Sequence, residues 1–168
     1  MMKNLFQILC GLFLVVSYSS CMHSEEDKVD VLIIGGGASG VTSGIQSARM
    51  GANTLILEES TWLGGMLTSA GVSAVDGNYR LPAGLWGEFK NRLSDYYGGL
   101  DSLKTGWVSN VLFEPSVGNK ILHEMVAAEN NLKVWKQACL EEVKRTGDEW
   151  VAKVKVEGQG VKTAVSYT

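Results

Sequence analysis

The sequence predicts an α/β fold, a parallel sheet built on a βαβ unit followed by a three-stranded β-meander, from three observations. An apolar, β-branched run at 31–34 leads into a glycine turn, Gly35-x-Gly37-x-x-Gly40, and a helical pattern follows at 38–50. A second apolar run at 54–57 ends on an acid, Glu58, 21 residues past Gly37. Beyond residue 130 the chain reads as short strands separated by glycine turns.

Each element has its own justification. The run at 31–34 carries no polar residue, as expected of a strand buried on both faces of a parallel sheet. In the turn, Gly35 permits a tight reversal, Gly37 lets the backbone approach a ligand, and Gly40 lets the helix lie against the sheet. The helix places Val41, Ile45 and Ala48 along one side, Gly44 keeps that side narrow, and Gly51 ends it. The order and lengths are those of a dinucleotide-binding unit. The amides of Ala38, Ser39 and Gly40 then point at a diphosphate from the helix N-terminus, and no basic residue is needed. Glu58 accepts hydrogen bonds from ribose hydroxyls, and its charge disfavours a 2′-phosphate and hence NADP. These residues by themselves do not choose between FAD and NAD.

The segment 59–72 is glycine-rich yet carries Trp62, Leu63, Met66 and Leu67. It reads either as a loop passing beside a flat apolar ring system or as a buried loop packed under the sheet. A helix is predicted at 84–97, with Leu85, Phe89 and Leu93 on one face and Gly98-Gly99 at its end. Trp86 reads as core rather than an interface anchor. Residues 107–113 read as extended. A second helix is predicted at 117–129, capped by Ser116, with Ile121, Leu122, Met125 and Val126 on its inner side. Strands follow at 132–136, 139–145, 150–156 and 161–167, with turns at 146–148 and 158–160. Trp62, Trp107, Trp135 and Trp150 are scattered and read as core packing.

Composition narrows the function. The chain has 168 residues, 45% hydrophobic, with a net charge of −3 and no basic block beyond the leader, which excludes nucleic acid as a partner. His123 has no second ligand in the sequence around it, so no metal site is expected. Residues 1–20 begin with Lys3, continue through an apolar run and end in small residues, the order of a signal peptide. Cys21 follows at once and resembles the lipid-accepting cysteine of a bacterial lipoprotein, although Tyr18 stands where that pattern has Leu. Cleavage with lipidation of Cys21, or simple cleavage and secretion, are the two readings. Residues 21–28 form an acidic tether. The chain is therefore expected to be exported, periplasmic or outer-membrane-anchored, with a membrane tether through the lipid on Cys21. Of the three cysteines only Cys139 lies in the folded domain, 29–168, and it reads as a small core residue. No close pair exists for a dithiol centre.

Leu63-Gly64-Gly65-Met66-Leu67-Thr68-Ser69, Val72-Ser73-Ala74-Val75-Asp76-Gly77 and Gly84-Leu85-Trp86-Gly87-Glu88-Phe89 together resemble the N-terminal part of an FAD-dependent oxidoreductase of the glutathione-reductase structural type. The resemblance implies a Rossmann-like fold with FAD as cofactor. It implies that Gly35, Gly37 and Gly40 face the pyrophosphate, that Glu58, with Glu59 beside it, faces the adenosine ribose, and that Gly64 and Gly65 lie along the cofactor. Met66 to Ser69 would lie toward the flavin, and the backbone near Leu140 at the adenine edge. No catalytic residue follows from it, and the small-molecule substrate is unknown. The family continues into a further sheet strand and a substrate domain, so the chain is expected to be the incomplete front portion of a longer enzyme. The competing readings are a non-catalytic nucleotide-binding fragment and an NAD-linked Rossmann enzyme.

Overall fold

Two sheets and three helices form three layers in a computed structural model that describes residues 26–77, 79–107 and 109–167. The leader at 1–20, Cys21 and the first residues of the tether lie outside the described residues.

The middle layer is a parallel sheet of β2 (Val31–Ile34), β3 (Thr54–Glu58) and β4 (Leu132–Lys136), in the order β2-β3-β4. Val31 pairs with Thr54 and Ile34 with Leu57, while Thr54 pairs with Leu132 and Glu58 with Lys136. Side chains alternate across a strand, so β3 serves two cores at once. Ile56 packs under the helices, whereas Leu55 and Leu57 face the other sheet.

The helical layer comprises α1 (Ala38–Arg49), α2 (Gly84–Tyr97) and α3 (Pro115–Ala127). Val41 and Ile45 of α1, Phe89 and Leu93 of α2, and Ile121 and Met125 of α3 form one buried cluster with Ile56. The close fit of α1 depends on Gly44, where a Cβ would stand 2.6 Å from Ile56 Cδ1. Gly98 takes a left-handed conformation, φ 79°, and ends α2. For α3 the expected cap is corrected: Glu114 is the N-cap, Ser116 lies within the first turn, and the helix ends at Ala127. Pro115 explains the earlier start, because its fixed φ suits the first helical position and its missing N–H costs nothing there.

The third layer is a sheet in the order β1-β7-β6-β5, formed by β1 (Glu26–Val29), β5 (Ala138–Thr146), β6 (Glu149–Val156) and β7 (Gly160–Tyr167). The β5-β6-β7 meander matches expectation, but β1 does not. Residues 26–28, expected to belong to a solvated tether, pair in parallel with β7. The backbone switches sheets at Asp30, whose carboxylate accepts from Asn53 N at 2.8 Å. Ser166 Oγ donates to Asp30 O across the junction. An edge partner for β7 therefore outweighs the polarity of this segment, since only two neighbouring backbones need to match.

Among the described residues of 107–113 there is no strand beyond one isolated bridge, Ala74 to Leu112, and a 3₁₀ turn at Leu100–Leu103 precedes them. Trp107 is 99% exposed, which overturns its assignment to the core, and Trp150 is exposed as well. Trp86 is half-buried against the helical cluster. Cys139 is exposed, not a core residue. Strand parity is the reason: Ala138 points inward, so its neighbour must point out.

Candidate functional site: a glycine turn, a carboxylate and a small cavity

The site grows from the end of β2. Gly35 has φ +101°, a conformation that suits glycine, and its N–H donates to Leu57 O at 2.8 Å. The next residues turn into α1, whose first internal bond is Val41 N to Gly37 O. Ala38, Ser39 and Gly40 accordingly have no acceptor for their amides within the helix, and the dipole places partial positive charge there. A Cβ at Gly37 would meet nothing within 4 Å. At Gly40 it would come within 1.9 Å of Gly35 O, so α1 packs on the turn only because residue 40 has no side chain.

Glu58 ends β3 beside this turn. One carboxylate oxygen accepts from Gly36 N at 2.7 Å and the other from Ser60 N at 2.8 Å. The carboxylate is thereby held by two backbone amides, while an ionised carboxyl has about four lone-pair sites in all. Gly36, not singled out from the sequence, is the residue that ties the acid to the turn. A Cβ there would stand 2.9 Å from Glu58 Oε2 and from Leu63 Cδ2.

Gly35, Glu58, Glu59, Leu140 and the apolar Ile34 and Leu57 line one cavity of about 190 Å³. Glu59 is exposed at its rim, with the Cys139 thiol 3.8 Å from its carboxylate. Leu140 reaches the cavity from β5 at a β-bulge, where Glu142 resumes pairing after Leu140. Such a bulge bends the strand locally and re-aims its side chains, a feature that periodicity does not reveal. The volume is below that of a site for a drug-sized ligand, so it suits one end of a dinucleotide, not its whole length.

The loop after Glu58 folds back onto the turn. Gly64 N donates to Gly36 O at 2.8 Å, and Gly64 forms a parallel bridge with Gly37. Gly64 and Gly65 have φ +107° and +52°, and a Cβ on Gly65 would stand 3.1 Å from Gly37 Cα. The loop is thus buried in part, as the packed reading expects. Leu63 and Thr68 are buried, while Met66 is largely exposed. Thr68 Oγ1 donates to Leu63 O at 2.6 Å, and Leu63 N donates to Asn119 Oδ1 at 2.9 Å. Asn119 is a positioning residue that sequence reasoning missed; its only signal is an amide next to Gly118 on the inner side of a helix. His123, one turn further on α3, lies close to Thr61. Burial pushes its imidazole below the usual range, aided by the Lys136 charge, and a hydrogen bond with the Thr61 backbone opposes the shift.

The structure therefore brings Gly35, Gly37, Ala38, Ser39, Gly40, Glu58, Glu59, Gly64, Gly65 and Leu140 to one end of the parallel sheet, with Met66 at its margin. Cys21 lies outside the described residues. Among the described residues no group of three His, Cys, Asp or Glu side chains converges as a metal site. A larger cavity, about 620 Å³, lies elsewhere, between Gly71–Ala74 and Leu112–Glu114, and is open to solvent.

A glycine turn at a helix N-terminus, an acid at the end of the next strand, and ligand-facing residues at the carboxyl end of a parallel sheet define a dinucleotide-binding α/β domain. A family model for FAD dependent oxidoreductases matches residues 30–167, and the chain belongs to that family. FAD is the family's cofactor. Among solved structures the chain is similar to a flavoprotein/dehydrogenase from Cytophaga hutchinsonii, at TM-score 0.60 and 16% identity over 83% of this chain and 38% of that one. It is also similar to the anhydrotetracycline hydroxylase OxyS from Streptomyces rimosus, at 0.57 and 13% over 83% and 30%. A third similarity is to the bacillithiol disulfide reductase Bdr from Bacillus cereus, at 0.52 and 14% over 83% and 38%. The chain spans well under half the length of each. No curated protein matches the sequence.

The residues present fit the adenosine and diphosphate portions of FAD. A side chain at Gly37 would meet open space, and the cavity carries an acid beside apolar walls, a lining that suits a ribose and a purine.

Proposed function

We propose that this chain forms the FAD-binding front portion of an exported FAD-dependent oxidoreductase of the glutathione-reductase structural type. The observation that carries the reading is the convergence of Gly35, Glu58, Glu59 and Leu140 on one cavity beside the N-terminus of α1. In this reading the α1 amides bind the pyrophosphate, Glu58 receives the ribose hydroxyls on its remaining lone pairs, and Leu140 borders the adenine. Gly64 and Gly65 lie along the cofactor, with Met66 toward the ring system. Bound FAD supplies the redox chemistry of its isoalloxazine, while the chain's residues hold and orient it. The substrate is a small molecule of unassigned class.

Export rests on the leader's order of charge, apolar run and small residues, and on Cys21 as a lipid acceptor, which would tether the domain to a membrane outside the cytoplasm. Purified full chain should be yellow, or turn yellow with added FAD, and release FAD on denaturation. Colourless protein that binds NAD and not FAD would refute the cofactor reading. Mass spectrometry of the mature chain separates a diacylated Cys21 from a free cut end.

A further inference from the structure

We propose that a second pocket, sharing no residue with the nucleotide cavity, binds a small organic acid by its carboxylate. The pocket is a groove of about 400 Å³ open to solvent on one side, with a polar lining of Tyr79, Arg80, Lys90, Asn91, Lys104 and Asn110, of which Lys90 alone is buried. Lys90 lies on α2 and is only 6% exposed. Its ammonium donates to Tyr79 O at 2.7 Å and to Leu81 O at 2.9 Å, and it stands 5.9 Å from the centre of the Trp86 ring. An ammonium has three donors, so a third remains beyond the two carbonyls.

Among the described residues neither Lys90 nor Arg80 is paired with a carboxylate. A buried charge held only by dipoles is costly unless a counter-charge completes it. Arg80 uses Nε on Tyr79 Oη, 3.1 Å away, and its guanidinium lies 5.4 Å from the centre of that ring. Its terminal nitrogens retain the fork that matches a carboxylate. Lys104 is partly neutralised by Asp101 at 2.8 Å, a carboxylate that is itself 95% exposed. The groove is thus lined by three cations, of which only Lys104 is paired with a carboxylate, and two side-chain amides add donors.

The rest of the wall is apolar: Pro82, Leu100 and Val111. Inorganic phosphate would leave that surface unmatched, whereas an acid with an aromatic or aliphatic body covers both parts of the lining. The volume lies at the lower end of small-molecule sites, which limits the body to about one ring.

Benzoate is a suitable probe, with benzamide as its neutral counterpart and inorganic phosphate as the bare anion, each titrated into the full chain by NMR or calorimetry. Benzoate should bind in the millimolar range, and benzamide about tenfold more weakly, the worth of one charge-assisted hydrogen bond. Arg80→Gln should weaken benzoate by about the same factor while leaving FAD binding and Tm unchanged. Equal binding of benzamide and benzoate overturns the proposal. So does phosphate binding as tight as benzoate, benzoate affinity that survives Arg80→Gln, or no benzoate binding at tens of millimolar. Lys90→Met would also loosen the loop that Lys90 pins, which is why the test rests on Arg80.

Discussion

Alanine at Gly37 and alanine at Gly40 add the same methyl to the same turn but meet different surroundings. At Gly37 the added carbon meets nothing within 4 Å, and the backbone, φ −64° and ψ 179°, is open to alanine. The stability change should stay within about 1 kcal/mol, since the weaker N-cap and the stiffer unfolded chain act in opposite directions. In the proposed complex, however, the methyl would intrude on the space in front of the α1 amides and hold the diphosphate off by more than about 1 Å, breaking hydrogen bonds near 2.9 Å. Two charge-assisted bonds at about 1.5–3 kcal/mol each predict a loss of at least about a hundredfold in affinity. At Gly40 the methyl would stand 1.9 Å from Gly35 O, a backbone atom that cannot step aside. Carbon and carbonyl oxygen need about 3.3 Å, so the turn and α1 must part. Gly40→Ala should therefore lose both binding and stability, the latter by at least the 1–3 kcal/mol typical of overpacking. Thermal unfolding combined with ADP and FAD titration separates the two effects. Wild-type affinity in Gly37→Ala would refute the reasoning, because the amides of α1 would then not be the phosphate site.

Other perturbations follow from the same geometry. Glu58→Gln leaves an amide group facing the Gly36 or Ser60 N–H; chemical denaturation should show a loss of about 1–3 kcal/mol, with weaker ADP binding. Ile56→Ala removes a fully buried side chain beneath α1, and the urea midpoint should fall by an amount equivalent to about 2–5 kcal/mol. Cys139→Ser should change stability by less than about 0.5 kcal/mol, since the thiol is exposed; a larger loss in the same assay would contradict its placement. His123 has a folded pKa below its usual value near 6.5, so the unfolded chain binds the proton more readily. Its contribution is complete above about pH 6.5 and is lost as pH falls toward the folded value. His123→Gln should flatten that part of the stability–pH profile, measured as Tm across the acid range.

Much of the site was legible because its residue types are demanded locally. The turn at Gly35, the packing of Gly40 and the termination of β3 at Glu58 follow from spacing and from the lack of a side chain at defined steps. The strands of the meander were legible from glycine turns, which act within a few residues. Trp107 and Cys139 were misplaced because hydrophobic character reports what a residue tolerates, not which face its backbone presents. Ser116 lost the cap to a competing local signal, Pro115 one residue earlier. Asn119 and Gly36 carried no distinguishing signal, since their roles lie in hydrogen bonds to Leu63, distant in sequence, and to Glu58, 22 residues away.

What the sequence by itself determined is the βαβ unit: the order of strand, turn, helix and acid is encoded in backbone conformations and short-range periodicity. Only the tertiary structure decided that residues 26–29 join β7 and that Leu140 reaches the Glu58 cavity from a bulge. It likewise decided that Lys90 is buried without a carboxylate and that Gly64 and Gly65 lie against Gly37. Each of these depends on which distant segment is the neighbour. Local propensity cannot express that choice, because the stabilisation arises only once two remote surfaces are pressed together.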